Sequence, residues 1–326
     1  MKKISFLAIF LFAAASVIIG LSSGTENYPL TKIIKILFNP PYNTFERTIL
    51  LQIRLPRIWC GFLTGSGLAV SGLILQAILK NPLAESYTLG VSGGASLGIA
   101  FGIVSGHMMV VPVFAFAGSV VSTFILLLIA SLRKMSSGTL LLLGIMLNFI
   151  FSSFSLLIIT LLQKERFMEA VVWFMGNLSS YHPETLKSAP LFLIPAYLIT
   201  WLYWKQLNIF SLGEEKAITL GIDPEKKRYM WLTLTGLITG YCVSLAGLVG
   251  FVGLVIPHTV RILVGTDHKK TIPAAILAGG SFLIIADTLA RTIVKPIEIP
   301  VGVISGFFGG IFFVLILLKT SRRQKW

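Results

Sequence analysis

The sequence predicts an all-α polytopic membrane protein that crosses the bilayer about ten times. Hydrophobic residues make up 55% of the 326 residues and charged residues only 12%, roughly half the share of a typical soluble domain. Each membrane helix needs about 20 apolar residues, whereas the alternating ~10-residue segments of a membrane β-barrel are not seen. The ten predicted spans are residues 4–23, 52–79, 87–105, 110–132, 138–162, 187–204, 229–249, 252–264, 272–294 and 299–319.

The first span follows two lysines, a pattern that is also typical of a secretory signal peptide. Its apolar stretch from Ile4 to Leu21 is 18 residues long, which is long for the apolar part of such a peptide. We therefore interpret this stretch as the first membrane helix. The eighth span, 252–264, is the shortest of the ten.

The distribution of charge predicts how the chain is oriented. Ten spans put both termini on one side of the membrane, and Lys and Arg concentrate on the cytoplasmic side. With the termini inside, the inner segments carry 17 Lys and Arg against 6 acids, and the outer segments carry 10 against 7. Both termini and the segment 205–228 are therefore predicted to be cytoplasmic. The net charge of +14 is a signal of sidedness and predicts no nucleic-acid partner.

Two segments of the chain match each other. GFLTGSGLAVSGLI (61–74) aligns with GLITGYCVSLAGLV (236–249) at an offset of 175 residues, and the same register pairs Pro82 with Pro257 and Gly90 with Gly265. An odd number of crossings separates the two segments, so they run in opposite directions. The match predicts a single transmembrane domain with inverted five-helix halves, about 1–180 and 181–326, as in many alternating-access transporters. Chance similarity between glycine-rich helices is the alternative.

Glycine recurs at every fourth residue in two spans. The third span carries five such glycines and the tenth carries three, at Gly90, Gly94, Gly98, Gly102 and Gly106, and at Gly302, Gly306 and Gly310. Small residues on one face let helix backbones approach closely in a membrane. A fixed packing contact and a sliding surface would give the same pattern.

The motifs of catalysis and of nucleotide binding are missing. The chain contains neither the GxxxxGK[ST] phosphate loop nor HExxH. Its four histidines are scattered without ligand spacing, and Cys60 and Cys242 each lie in apolar segments, where cysteine usually packs as a small apolar residue. We therefore predict no catalytic residue, no metal site and no cofactor bound by this chain.

Arginines stand at the predicted outer ends of two spans. Arg54 and Arg57 flank Pro56, and Asp287 and Arg291 lie one helical turn apart. An i,i+4 ion pair would explain the second pair of residues. Alternatively, the three arginines point outward and receive acidic groups from an extracellular partner.

Residues 211–228, SLGEEKAITLGIDPEKKR, contain eight charged residues in eighteen. The pattern predicts a short rigid helix with a glycine at each end, two acids in its first turn and a small apolar contact face. The residues concerned are Gly213, Glu214, Glu215, Ala217, Leu220 and Gly221. Asp223 followed by Pro224 then predicts the capped start of the seventh span. Such a segment suits the transfer of movement from an outside partner into a membrane helix, whereas a solvated loop is the alternative.

Several motifs, in order, resemble the FecCD-type (BtuC-like) permeases over residues 50 to 319. They are IRLPR, KNPLAESYTLGVSGGASLG, LGEEKAITLG, GLVGFVGLVIPHTVRILVGTDHKK, ADTLAR and EIPVGVISGFFGGIFF. Permeases of this family are the membrane subunits of type II ABC importers for iron-siderophores, haem and cobalamin. The resemblance implies a homodimer in a bacterial or archaeal cytoplasmic (inner) membrane. It also implies two copies of a separate ABC ATPase, which would use ATP and Mg, and a periplasmic or lipid-anchored substrate-binding protein.

The resemblance also implies roles for individual residues. It places docking of the binding protein at Arg54, Arg57 and Arg291, and the cytoplasmic coupling loop at 205–228. A cytoplasmic gate is implied at Asn81, Leu83, Ser137 and Gly138. Two positions depart from the family pattern, because Ser86 stands where proline is frequent and Gly138 stands where a hydroxyl residue is common.

The favoured function is the import of an iron-siderophore or haem, with cobalamin or molybdate as open alternatives. From another class, an ion-coupled secondary transporter should carry acids inside the membrane. Only Asp287 and Glu298 qualify as such acids, both near the outer side, which argues against that class. A channel or a non-transporting scaffold is the remaining alternative.

Overall fold

The computed structural model describes residues 2–24, 26–38, 44–133, 135–179 and 181–321, and every regular element in these ranges is a helix. A six-residue π-helix, Ile49–Arg54, leads into the fourth α-helix, and a short 3-10 turn, Met108–Val110, precedes the sixth. The α-helices in the described ranges are α1 (Lys2–Ser22), α2 (Leu30–Phe38), α3 (Thr44–Thr48), α4 (Leu55–Ile78), α5 (Val91–Val104), α6 (Val111–Leu132), α7 (Ser137–Thr160), α8 (Lys164–Met175), α9 (Pro183–Leu202), α10 (Trp204–Leu212), α11 (Glu214–Thr219), α12 (Pro224–Ala246), α13 (Val252–Val264), α14 (His268–Ala290) and α15 (Val301–Ser321).

The apolar helices coincide with the predicted spans. In the described part of the chain, 7 helices are long and apolar enough to cross a membrane: α1, α4, α6, α7, α9, α12 and α14. Three shorter apolar helices, α5, α13 and α15, fall in the remaining three predicted spans. The all-α polytopic fold class is therefore confirmed.

Helix α4 forms the centre of the bundle, and almost all of its residues are buried. It runs antiparallel to α14, because Gly61 lies beside Ile284 and Gly65 lies beside Gly279. It also runs antiparallel to α12, where Ser71 Oγ is 2.7 Å from Thr239 Oγ1. The small residues predicted to permit close helix contacts are therefore packing positions around this central helix.

The two ends of the bundle are named here by their residues. The arginine face is the end that carries Arg54, Arg57 and Arg291. The Lys80 face is the opposite end of α4, where the Lys80 ammonium group lies so close to Gly213 that a Cβ there would be 3.0 Å from Nζ.

Four short helices outside the spans were not predicted, namely α2, α3, α8 and α10. The helix α2 is amphipathic and buries Ile33 and Ile36, and α8 buries Ala170 and Trp173. Both helices carry charged residues and are too short to span a membrane, so a search for spans passes over them.

Two helices are shorter than the predicted spans 87–105 and 229–249, because α5 begins only at Val91 and α12 already ends at Ala246. Residues 79–90 between α4 and α5 are non-helical and return alongside α4, where Ser86 Oγ donates to the Leu68 carbonyl at 2.8 Å. Residues 247–251 between α12 and α13 are likewise non-helical. The α12 helix ends at Gly247, which has a φ of 69°.

The different positions of these non-helical connections also limit the match between the two halves. The aligned residues of α4 and α12 run antiparallel, as an inverted pair requires. The register fails beyond Gly247, because its counterpart Gly72 lies inside α4. Pro82 consequently lies in a turn, whereas Pro257 lies within α13.

Candidate functional site

The two non-helical connections, 79–90 and 247–251, meet inside the bundle. A carboxylate oxygen of Glu85 accepts a hydrogen bond from the Phe251 N–H group, and the Tyr87 hydroxyl accepts one from the Val249 N–H group at 3.0 Å. Backbone groups away from water must be paired, and here side chains of one connection pair the backbone of the other. The two connections are thus joined at one point, which we call the crossing.

The crossing depends on close backbone approach. A Cβ at Gly72 would clash with the Gly253 backbone, and a Cβ at Gly253 would clash with the Ser86 hydroxyl. No larger residue fits at either position without moving α4 away from α13. Glycine is therefore required here for space.

Glu85 is the residue of this site that sequence reasoning missed. It is half-buried and lies between the 79–90 and 247–251 connections inside the bundle, whereas the sequence placed it in a cytoplasmic loop. Glu85 is therefore a further acid inside the bundle, beside the expected Asp287 and Glu298. The signal that could have found it is the helix-breaking sequence between Asn81 and Gly90, which interrupts an otherwise apolar region.

The predicted gate residues lie in two separate places. Asn81 and Leu83 form a turn directly after Lys80, in which Asn81 Oδ1 accepts the Leu83 N–H at 2.9 Å. The Leu83 side chain is 54% exposed. Ser137 and Gly138 begin α7, and no hydrogen bond between described residues joins them to the first pair. The gate role of all four residues stays a prediction.

Gly138 has open space around it, since the nearest atom to a Cβ there is Ser136 Oγ at 3.9 Å. A larger residue, such as the hydroxyl residue common in the family, would therefore fit at this position. The start of α7 is fixed instead by Ser136, whose Oγ accepts the Thr139 N–H at 3.2 Å. Further along α7, Gly144 packs against Thr88 and Leu89 of the 79–90 connection.

At the arginine face, Arg57 is held by two carboxylates of its own chain. Its Nε and Nη2 donate to Asp287 at distances of 2.8 to 3.0 Å, and Nη1 donates to Glu298 at 2.8 Å. The predicted i,i+4 contact between Asp287 and Arg291 is longer, at 3.7 Å. Asp287 therefore pairs mainly across helices, with Arg57.

The other two arginines are also occupied within the chain. Arg54 donates to the Leu21 carbonyl at 2.6 Å and lies 4.6 Å from the ring centroid of Tyr28. Arg291 donates to the Gly20 carbonyl. The three arginines are only 4 to 7% exposed, so in this structure their side chains are engaged within the chain and are not presented to a partner. They join the ends of α1, α4 and α14, and their docking role stays a prediction.

The charged segment at the Lys80 face forms the short helix that the sequence predicts. The helix α11 lies between Gly213 and Gly221, whose φ angles of 128° and 75° suit glycine. Asp223 then caps α12 by accepting the N–H groups of Glu225 and Lys226. These hydrogen bonds, chiefly that from Lys226, hold the pKa of the Asp223 carboxyl below its usual range.

The apolar contact face predicted on this segment needs a correction. Ala217 is fully buried, so it packs against its own chain and offers no surface to a partner. The exposed apolar side chains are Ile218 at 62% and Leu220 at 60%. An apolar contact of α11 with a partner would therefore rest on these two residues.

Comparison with known proteins now adds to this geometry. The model of the FecCD transport family matches residues 11–319. The chain belongs to this family. Among the described residues, no three His, Cys, Asp or Glu side chains are grouped as a metal site would require.

Two relatives whose names specify different cargoes, hemin and cobalamin, match this chain at almost the same sequence identity. The hemin transport system permease protein HmuU of Yersinia pestis is 33% identical over 95% of this chain and 94% of its own. The cobalamin import system permease protein BtuC of Halobacterium salinarum is 35% identical over 83% of this chain and 73% of its own. A solved inward-facing conformation of a putative metal-chelate type ABC transporter superposes with a TM-score of 0.85, at 26% identity over 98% of this chain and 100% of the other.

Proposed function

We propose that the chain is the membrane-spanning permease subunit of an ABC importer that moves a metal chelate into the cytoplasm by ATP-driven alternating access. The observation that carries this proposal is the match of the FecCD transport family model to residues 11–319. The crossing adds to it, because non-helical backbone inside a membrane bundle is tolerated only where it is buried in protein or lines a cavity, and such breaks lie near the binding sites of transporters built from inverted repeats.

We assign the Lys80 face to the cytoplasm together with both termini, and ATP hydrolysis by a partner subunit acts on the chain at this face. The helix α11 presents Ile218 and Leu220 to a separate ABC ATPase, of which two copies serve a homodimer of this chain. Asp223 caps α12 only two residues after Gly221. A displacement of α11 would therefore be transmitted directly to the first residues of the membrane helix α12.

The arginine face then lies outside, where a substrate-binding protein docks. The docking assignment of Arg54, Arg57 and Arg291 requires these side chains to exchange their internal partners for glutamates of the binding protein. We favour an iron chelate, a siderophore complex or haem, as the cargo, and cobalamin or molybdate is the alternative. Relatives named for hemin and for cobalamin are similar to this chain at 33 and 35% identity, so the degree of similarity does not separate the two cargoes.

The test is reconstitution of the full chain in proteoliposomes with an ABC ATPase and a binding protein from the same source. Uptake of a ferric siderophore, haem, cobalamin or molybdate should require internal ATP and should stop when the ATPase is omitted. A matched pair of variants tests the contact, since Ile218→Glu should abolish ATPase assembly. Ile297→Glu, at a residue that is 67% exposed on the arginine face, should leave assembly intact. Assembly of Ile218→Glu at the wild-type level would refute the contact.

Glu85 favours a second candidate, an ion-coupled secondary transporter, because acids inside the helix bundle are frequent coupling sites in that class. Uptake driven by a proton or sodium gradient without any ATPase, and lost in Glu85→Gln, would support this candidate and refute the importer. In the importer, Glu85→Gln still accepts the Phe251 N–H through its amide oxygen. It should therefore retain ATP-driven uptake.

A further inference from the structure

The helix α2, at the arginine face, lies outside the predicted spans and takes no part in the proposed transport. Its sequence, LTKIIKILF, contains six large apolar residues, two lysines and no acid. Residues 23–29 connect it to the end of α1. An apolar helix of nine residues is too short to cross a membrane, so its apolar side chains need another environment.

Contacts on one side of α2 fix its position. Ile36 is fully buried in a cluster with Leu50 of the π-helix, and Leu21 at the end of α1 packs against the same cluster. Lys32 Nζ lies 2.6 Å from Glu46 Oε1, which joins α2 to α3. The helix therefore lies where α1 ends and beside the π-helix that leads into α4, which is the depth of a membrane boundary.

The apolar side of α2 is wider than the part that packs against the chain. Next to the buried Ile33, the helix carries four large apolar side chains that are 40 to 79% exposed. In order around the helix, at about 100° per residue, these side chains, which we call the exposed strip, are Leu37, Leu30, Ile34 and Phe38. Thr31, Lys35 and Lys32 complete the circumference, so apolar and polar residues lie on separate sides.

We propose that the exposed strip of α2 lies in the lipid bilayer, with the helix parallel to the membrane surface at the arginine face. A helix with lysines on its polar side and Leu, Ile and Phe on the other is the type that lies in the interface between headgroups and acyl chains. The strip then contacts acyl chains, and the exposed Lys35 reaches the phosphate groups of the lipids.

The exposed strip is continuous with a surface that faces lipid. The last turn of α1 exposes Ile18 and Ile19, and because α1 is long and apolar enough to span the membrane, these side chains contact acyl chains. Leu21 follows them directly and packs against the buried side of α2. Lipid that surrounds the end of α1 therefore extends to α2.

A soluble partner fits the exposed strip less well than lipid does. None of the four side chains can form a hydrogen bond, whereas interfaces between proteins normally combine an apolar centre with hydrogen-bonding groups. A partner that binds and leaves would also return the strip to water each time, and exposed apolar patches are avoided on protein surfaces. Lipid covers the strip permanently.

The test measures the depth of nitroxide labels on the full chain in nanodiscs of phosphatidylcholine and phosphatidylglycerol. Ile34→Cys places the label in the exposed strip, and Thr31→Cys places it on the polar side of the same helix as the matched control. Cys60 and Cys242 are fully buried, so the label should react only with the introduced cysteine, and the wild type should remain unlabelled.

Power saturation in electron paramagnetic resonance compares collisions with oxygen, which concentrates in lipid, and with a nickel chelate, which stays in water. The ratio of oxygen to nickel collisions should be at least about fivefold higher for Ile34→Cys than for Thr31→Cys, because the apolar side of an interfacial helix lies about 5–10 Å into the boundary.

Two results would overturn the proposal. Equal ratios at the two positions, with free access of nickel, would show that the strip faces water, and a fall in that access when a binding protein is added would assign the strip to that protein. Exclusion of both reagents from Ile34→Cys, with spin–spin broadening between labels, would assign it to a second copy of this chain. The depth measurement requires no ATPase and no transport, so the membrane contact and the proposed function stand or fall separately.

Discussion

Removing the Asp287 carboxylate should destabilise the bundle far more than removing Glu298, although both carboxylates contact Arg57. Asp287 accepts three hydrogen bonds from this arginine, at 2.8, 2.9 and 3.0 Å. The two side chains are only 8% and 4% exposed. In Asp287→Asn, Arg57 keeps one oxygen acceptor but loses its buried counter-charge, and the nearby Arg291 loses one as well.

Breaking a buried pair by removing one partner costs about 3–5 kcal/mol, and we expect Asp287→Asn to lie near 3 because the amide keeps the shape. The Glu298 carboxylate is 43% exposed, so Glu298→Gln should cost at most about 1 kcal/mol. The free energy of unfolding of the purified chain, followed by circular dichroism during denaturant titration in detergent, separates the two values.

A double variant provides the control for this prediction. Arg57→Met with Asp287→Leu removes both charges and replaces them with apolar side chains, so it should recover most of the stability lost in Asp287→Asn. Equal losses in Asp287→Asn and Glu298→Gln would refute the reasoning. That outcome would mean that Asp287 is not the main buried counter-charge of Arg57.

Three further predictions concern single positions. Gly72→Ala should lower the yield of folded protein because its Cβ would clash with the Gly253 backbone. The control Gly138→Ala lies in open space and should fold like the wild type, and equal yields of the two variants would show that α4 can move aside. Ala217→Trp should lower the thermal stability of the isolated permease because Ala217 is buried, whereas the exposed Ile218→Trp should not. Thermal unfolding measures both variants, and a stable Ala217→Trp would contradict the burial. Asp223→Ala should increase hydrogen exchange at the start of α12 and Asp223→Asn should not, and unchanged exchange in the alanine variant would count against the cap. Because the pKa of Asp223 is lowered on folding, the extra stability from its charge is present at neutral pH and is lost as acidification protonates the carboxyl.

Much of the architecture can be predicted from the sequence because a membrane imposes simple rules. Helix length and hydropathy locate the spans. Cap and stop residues are local signals, so Gly213 and Gly221 bound α11, and Asp223 marks the start of α12, without knowledge of the rest of the fold.

The sequence fails where distant segments decide the outcome. The pairing of Arg57 with Asp287 joins residues 230 positions apart, and the i,i+4 spacing of Asp287 and Arg291 suggested the weaker contact. Glu85 looks like a loop acid because the re-entry of the 79–90 connection depends on its contacts with the 247–251 connection. The burial of Ala217 depends likewise on neighbours that no local pattern encodes.

The helix α12 links the proposed ATPase contact at α11 to the crossing, so its two ends should have different mutational effects. Gly247 ends α12 with a φ of 69°, and a Cβ there would also clash with the Trp173 carbonyl. Gly265 ends α13 with a φ of 93°, and a Cβ there meets nothing within 4 Å. Both alanine variants carry a backbone strain of about 1–3 kcal/mol, but Gly247→Ala also displaces the 247–251 connection. We expect Gly265→Ala to transport normally, and Gly247→Ala to bind the ATPase through an intact α11 while ATP hydrolysis no longer drives uptake. Equal uptake by the two variants, measured per ATP hydrolysed in proteoliposomes, would show that movement of α12 does not reach the crossing.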